Sequence, residues 1–288
     1  MNILMALSQL EVTGAEVYAT TVGNELTRRG HNVFYVSDTL TKPTQGPVFK
    51  LRFNKRSILR RFWHVFYLIY LIRKHHIQLV HAHSRASGWS SYVACKLTGT
   101  PMITTVHGRQ PVHASRKAFH ALGYRAVAVC EDIARQIIDN LGVDPAMVQV
   151  LRNGIETDRF QPVPAPDNAR PVIAIIGRLS GPKGELCYRL LDEVLDLDAC
   201  QVRVVSGTRV PERFARFQDK VDFVGYVDDV PALLAQCDLV IGAGRVAMEA
   251  LLCGRPAFAI GEAKAIGLVT EQNLDEALAS NFGDIGPQ

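Results

Sequence analysis

The chain's 288 residues are 48% hydrophobic and 21% charged, a balance that excludes a disordered polypeptide and leaves room for one large or two medium domains. Its six cysteines (Cys95, Cys130, Cys187, Cys200, Cys237 and Cys253) form no Cys-x-x-Cys pair, which argues against a disulfide framework or a zinc site and for small buried hydrophobes in a reducing compartment, the cytoplasm. The net charge of +4 divides into +10 over residues 1–165 and −6 over 166–288. Two domains with different partners are therefore expected, the basic one suited to an anionic acceptor or membrane surface; no nucleic-acid motif accompanies it.

Asn2–Leu7 reads as a first strand, without the basic lead of a secretion signal. The loop SQLEVTGAE follows, then a helix from about Ala15 to Arg29 and a second strand at Val33–Val36. This βαβ opening lacks the full G-x-G-x-x-G fingerprint, and the amides at Gly14 and Ala15 suit an anion as well as a plain helix start. A polar connection with a short strand at Val48–Leu51 leads to SILRRFWHVFYLIYLIRKHH, an aromatic helix flanked by Arg56, Arg60, Arg61, Arg73 and Lys74. Its apolar centre, Phe62–Ile72, is too short to span a bilayer. It reads either as a basic amphipathic helix resting on a membrane or as a core helix with cationic ends.

Ile77–His81 is a buried strand ending in His81-Ala82-His83-Ser84. Two alternating histidines could share a metal, but no third ligand is near in sequence, and lining a cleft at the carboxyl edge of a sheet is the better use. A helix at Gly88–Leu97, a strand at Met102–Val106 ending in His107-Gly108-Arg109, a short helix, a strand at Ala126–Val129, a helix at Glu131–Leu141 and a strand at Val148–Leu151 follow. Pro162, Pro164 and Pro166 mark a linker, which sets the domains at 1–163 and 164–288.

The second half opens on VIAIIGRLSGPKG, Val172–Gly184. An apolar strand stops at Gly177, and the loop beyond it carries Arg178 and Lys183 ahead of a helix beginning near Glu185. Either this is an ordinary βα loop with two solvated cations, or it is an anion site, most naturally for phosphate. Strands at Val202–Val205, Val221–Val224, Leu239–Ile241 and Ala257–Ile260 alternate with helices near 211–217, at Val230–Ala235 and at Arg245–Cys253. Asp228-Asp229 reads as a helix cap, and Asp196 and Asp198 as a helix-end surface. Regular alternation twice over predicts an α/β protein of two doubly wound, Rossmann-like domains facing a cleft.

The ordered set SQLEVTGAE, VHAHS (80–84), TVHG (105–108), RNGIETDRF (152–160), IGRLSGPKG (176–184), FVGYVDDVPALLAQCDLVI (223–241) and MEALLCGRP (248–256) resembles the retaining GT-B glycosyltransferases of family 4, over most of the chain. The resemblance implies a nucleoside-diphosphate sugar as donor, bound mainly by the second domain, with no metal or other cofactor. Arg178 and Lys183 would hold the diphosphate, Glu249 the ribose hydroxyls, Gly14 would be the amide near the leaving phosphate, and Gly177, Gly242 and Gly244 would lie against the donor. His107 would lie near the reacting sugar, and His81, His83 and Arg109 on the acceptor side.

Two departures stand out. The family's EGFGLxxxE pattern appears here as IGAGRVAME, so Ile241 replaces the first glutamate, Ala243 an aromatic and Arg245 an apolar residue. The second domain also reads as shortened. The expected activity is sugar transfer with retention to an envelope glycan or lipid-linked acceptor, by a cytoplasmic protein docked on the inner face of the plasma membrane. A binding-only relative and a sugar-nucleotide epimerase are the alternatives. A remoter one is an NAD-dependent oxidoreductase, because Gly242-x-Gly244-x-x-Ala247 precedes Glu262 in the manner of a dinucleotide fingerprint.

Overall fold

The computed structural model describes residues 1–8, 14–54 and 57–286; most of the opening loop, residues 9–13, and Arg56 lie outside that description. Two compact units result, Met1–Gly154 and Ile155–Gln288. Residues 155–163, assigned above to the first domain, pack with the second: Phe160 is buried among Val172, Leu234 and Cys253, and the Val163 amide donates to the Cys253 carbonyl. Apolar contact, rather than the prolines, sets the boundary.

In the first unit β1 (Asn2–Ala6), α1 (Gly14–Arg28), β2 (Asn32–Ser37) and β3 (Val48–Lys50) precede α2 (Ile58–Lys74) and β4 (Leu79–Ala82). Then come α3 (Arg85–Thr98), β5 (Met102–Val106), α4 (Ala114–Ala118), β6 (Arg125–Ala128), α5 (Glu131–Arg135) and β7 (Val148–Val150). The strands form one parallel sheet in the order β3-β2-β1-β4-β5-β6-β7. The expected helix over 131–141 is α5 continued by a π-helical turn, Gln136–Asn140.

α2 carries apolar residues on two faces. Val65, Leu68, Leu71 and Ile72 are buried against α3 residues such as Ala94 and Cys95. The opposite face leaves Leu59, Phe62, Trp63, Phe66 and Tyr70 between 50% and 83% exposed. A core helix needs only the first stripe; the second is surplus to folding. No helix among the described residues is long and apolar enough to cross a membrane.

The second unit holds β8 (Val172–Ile176), α6 (Gly181–Arg189), β9 (Gln201–Val205), β10 (Val221–Gly225), α7 (Val230–Leu234), β11 (Leu239–Gly242), α8 (Arg245–Leu252), β12 (Ala257–Ile260), β13 (Ala265–Leu268) and α9 (Leu274–Ala279). The sheet runs β10-β9-β8-β11-β12-β13, parallel except for β13, which pairs antiparallel with β12. β13 and α9 have no counterpart in the sequence reading. The segment near 211–217 is a 3₁₀ helix, Glu212–Phe217. Helix α6 begins at Gly181, not Glu185: Pro182 occupies its first turn, where a missing N–H costs nothing. Asp229 caps α7 by accepting from the Ala232 amide. Asp196 accepts from the amides of Asp198 and Ala199, and Asp198 pairs with Lys220, so both serve a surface turn.

All six cysteines are free and buried. Burial pushes their thiols up, to about 12 at Cys95 and Cys187 and about 11 at Cys130.

Candidate active site

The order of strands in the second unit reverses between β8 and β11, and α/β sheets hold ligands beyond the carboxyl ends of strands at such a reversal. Gly177 and Arg178 leave β8 there, and Gly242 ends β11 ahead of Ala243 and Gly244. A small cavity at this edge is lined by Gly177, Arg178, Lys183, Ile241 and Gly242. Lys183 stands in the first turn of α6, so its charge and the helix's free amides lie together. Gly184 cannot be replaced without moving the loop, because a Cβ there would lie 2.2 Å from the Leu179 carbonyl oxygen. Gly244 takes φ +59°, and a Cβ would meet Asn281 at 3.0 Å and Asp284 at 3.3 Å.

Each candidate donor-binding charge already has a partner. Arg178 pairs with Glu262 at 3.1 Å, Lys183 with Asp284 at 2.8 Å, and Glu249 accepts from Arg245 Nε at 2.7 Å. The last two pairs are largely buried, where ion pairing is strong and loss of one partner is costly. The second Asp284 oxygen, Oδ1, is buried with no hydrogen-bond partner. Glu262, the acid of the dinucleotide fingerprint, is thus the Arg178 partner. Ile241 is buried with Ile175, Leu179 and Cys187, an apolar contact that a glutamate could not make without stranding its charge. Arg245 was readable as the partner of Glu249 from the four-residue spacing. Asp284, 101 residues beyond Lys183, left no local signal.

In the first unit the reversal falls between β1 and β4. His81 Nε2 lies 2.7 Å from Thr105 Oγ1, and His83 Nδ1 lies 3.3 Å from His107 Nε2. Tyr18 sets its ring edge-on to His107 at 5.0 Å. A cavity of about 140 Å³ is lined by His83, Thr105, His107, Gly108 and Arg109, among others. His81 is not on its wall; it is sealed beneath, against Thr105, so it supports the site and does not line it. Arg109 is exposed on the rim, and Gly14 opens α1 with free space where a side chain would stand.

His107 keeps part of its surface exposed, yet protein surrounds the ring closely enough that burial, and then the His81 charge, push it down to about 3. Burial alone takes His81 to about 4, and burial with its two imidazole neighbours takes His83 well below 6.5. All three are neutral hydrogen-bonding groups at neutral pH. The unfolded chain protonates near 6.5 while folded His81 waits until about 4, so stability is complete above pH 6.5 and falls as pH drops through that window, by about 1.4 kcal/mol per pH unit for one such group. Thermal melts between pH 7 and pH 4 should show this acid limb, and His81→Gln should flatten it; a variant with the wild-type pH profile would refute the assignment.

Residues 12–159 match the family described as Glycosyltransferase Family 4, and residues 170–283 match Glycosyl transferases group 1. The chain is similar to the UDP-Gal:alpha-D-GlcNAc-diphosphoundecaprenol alpha-1,3-galactosyltransferase of Escherichia coli, 24% identical over 250 residues, which are 74% of this chain and 63% of that protein. It is also similar to the D-inositol 3-phosphate glycosyltransferase of Salinispora arenicola (strain CNS-205), 28% identical over 251 residues, 68% of this chain and 55% of that one. The fold matches that of Anabaena Alr3699/HepE solved in complex with UDP-glucose, with a TM-score of 0.74 at 19% identity over 98% of this chain and 93% of that chain. The chain spans from about a third to just under two thirds of the length of the curated relatives it matches. Matched in its first half by one of these families and in its second by the other, the chain belongs to the family 4, group 1 glycosyltransferases.

Proposed function

We propose that the second unit binds a nucleoside-diphosphate sugar and that the protein transfers the sugar, with retention, to a lipid-linked or envelope-glycan acceptor. The observation that carries the reading is the pairing of Arg178 and Lys183 with a glycine-turned loop at the β8/β11 reversal. The diphosphate would displace Glu262 and Asp284 from these cations, exchanging carboxylate for phosphate oxygens. Charge developing on the leaving diphosphate would then be met by two fixed cations and the start of α6, with no metal required. The ribose hydroxyls would donate to Glu249, and neutral His107 would position a sugar hydroxyl by hydrogen bonding and not act as a base. A UDP donor is favoured because the Anabaena structure holds UDP-glucose and the E. coli relative is named for UDP-Gal. The exposed aromatic face of α2 supports an acceptor at a membrane, and both named relatives have phosphorylated acceptors.

The test is a thermal-shift panel of UDP, ADP, GDP, their glucose conjugates and NAD. Saturation with the right nucleotide, at about 100 times its Kd, adds about 2.7 kcal/mol to the folded state and raises Tm by several degrees. Glu249→Gln should lose about tenfold in affinity for that nucleotide and almost nothing for its analogue lacking both ribose hydroxyls. A shift with NAD alone would overturn the reading in favour of the oxidoreductase. The buried Ile241 supports a second reading, a protein that binds donor without reacting it. Such a protein would give the thermal shift yet release no nucleoside diphosphate from the sugar nucleotide, even slowly.

A further inference from the structure

A cavity of about 360 Å³ opens in the first unit among α2, α3 and α4. Its wall combines Arg61 and His64 from α2, Arg85 and Trp89 from α3, and Arg116 from α4. Among the described residues no carboxylate lines it. The sequence explains why: between Asp38 and Glu131 there are fifteen lysines and arginines and not one aspartate or glutamate. Asp38, the carboxylate whose charge is felt at this wall, acts on His64 and accepts from the Asn54 amide. Among the described residues none pairs with Arg61, Arg85 or Arg116.

Arg116 is the anomaly. It is only 7% exposed, its Nη2 donates to Gln110 Oε1 at 3.2 Å, and its Nε is buried with no partner. Burial, and then the charge of nearby Arg85, pull its pKa below the ordinary guanidinium range. Proteins bury a guanidinium when an anion meets it, because an unpaired buried charge is among the costliest features a fold can carry. Here two guanidiniums line one cavity, and among the described residues no carboxylate pairs with either. Arg61 adds a third charge, over the Trp89 ring with its Cζ 5.1 Å from the centroid.

We propose that this cavity binds a phosphate group carried by the acceptor, with Arg85 and Arg116 as direct ligands and Arg61, set over the Trp89 ring, as the third cation. Guanidinium forks match phosphate oxygens in pairs, and the indole and Phe119 walls suit the apolar or sugar moiety attached to it. The acceptor part of the proposal rests on the function proposed above; the phosphate site itself rests only on this wall. Arg85 and Arg116 also line the neighbouring cavity that contains His107, so a phosphate held between them lies beside the acceptor-side histidine.

The experiment titrates the full chain with inorganic phosphate and with n-octyl phosphate, by calorimetry at low salt, with UDP titrated in parallel. Arg85 is exposed, so Arg85→Gln keeps the fold and is the primary variant; Arg85→Gln/Arg116→Gln is the second. Binding of either probe should weaken about tenfold or more in Arg85→Gln and further in the double variant, with UDP binding unchanged. Octyl phosphate binding more tightly than inorganic phosphate assigns a lipid headgroup, and equal binding assigns a water-soluble phosphate ester; both support the site. Wild-type affinity in both variants, or no saturable binding of either probe to the wild type, overturns it. If UDP fails to bind while octyl phosphate binds in an arginine-dependent way, the donor reading falls and this site stands.

Discussion

Lys183→Ala is expected to lower donor-dependent turnover by about 10²–10³-fold, equivalent to about 3–4 kcal/mol, the usual loss when one preorganised partner of a developing oxyanion is removed. Its ammonium sits in the first turn of α6, where the donor diphosphate would also meet the unbonded amides of the helix. The substitution also strips Asp284 of the cation it holds at 2.8 Å, so a fall in stability is expected beside the fall in activity. Asp284→Asn separates the two effects. It removes the carboxylate that, on the proposed function, would compete with phosphate and leaves the lysine, so nucleoside-diphosphate affinity should rise by about tenfold. Calorimetric titration of both variants decides the matter: an alanine variant that binds nucleotide like the wild type would remove Lys183 from the site.

Trp63→Glu/Phe66→Glu should release the protein from anionic vesicles. Burying each ring in the headgroup region is worth about 2 kcal/mol, so losing two and adding two negative charges should weaken partitioning by at least about 10²-fold. Both side chains are more than 60% exposed, and the inner stripe of Val65, Leu68, Leu71 and Ile72 is untouched; thermal stability should therefore hold. Co-sedimentation with phosphatidylglycerol vesicles, against phosphatidylcholine as control, reads the effect. Equal sedimentation of variant and wild type would mean that the aromatic face of α2 serves something other than a lipid surface.

Much of the fold was readable because it is written in local patterns. The run Val172–Ile176 has the length and β-branched content of a buried parallel strand, and the alternation of such runs with amphipathic stretches points to parallel sheets. Local signals misled at α6, where the stretch from Gly181 to Gly184 reads as loop but is the helix start, and were too weak at β13, a short edge strand containing Gly267 at φ +88°. The candidate site was readable as a set of attackable positions but not as a network. Arg178 and Glu262 are 84 residues apart, and Lys183 and Asp284 are 101 apart; only folding brings each cation to its carboxylate. The arginine-lined cavity was hidden for the same reason, since Arg61, Arg85 and Arg116 are single residues on three separate helices.

The sealed cysteines have a practical consequence. Thiolate is the reactive form, and six buried thiols with raised pKa values offer almost none of it at neutral pH. A cysteine introduced at an exposed position, Trp63→Cys on α2 for instance, would be the one fast site for a maleimide dye in an otherwise native background. An environment-sensitive fluorophore placed there would brighten and shift to the blue on entering lipid, turning the protein into its own reporter of the proposed docking.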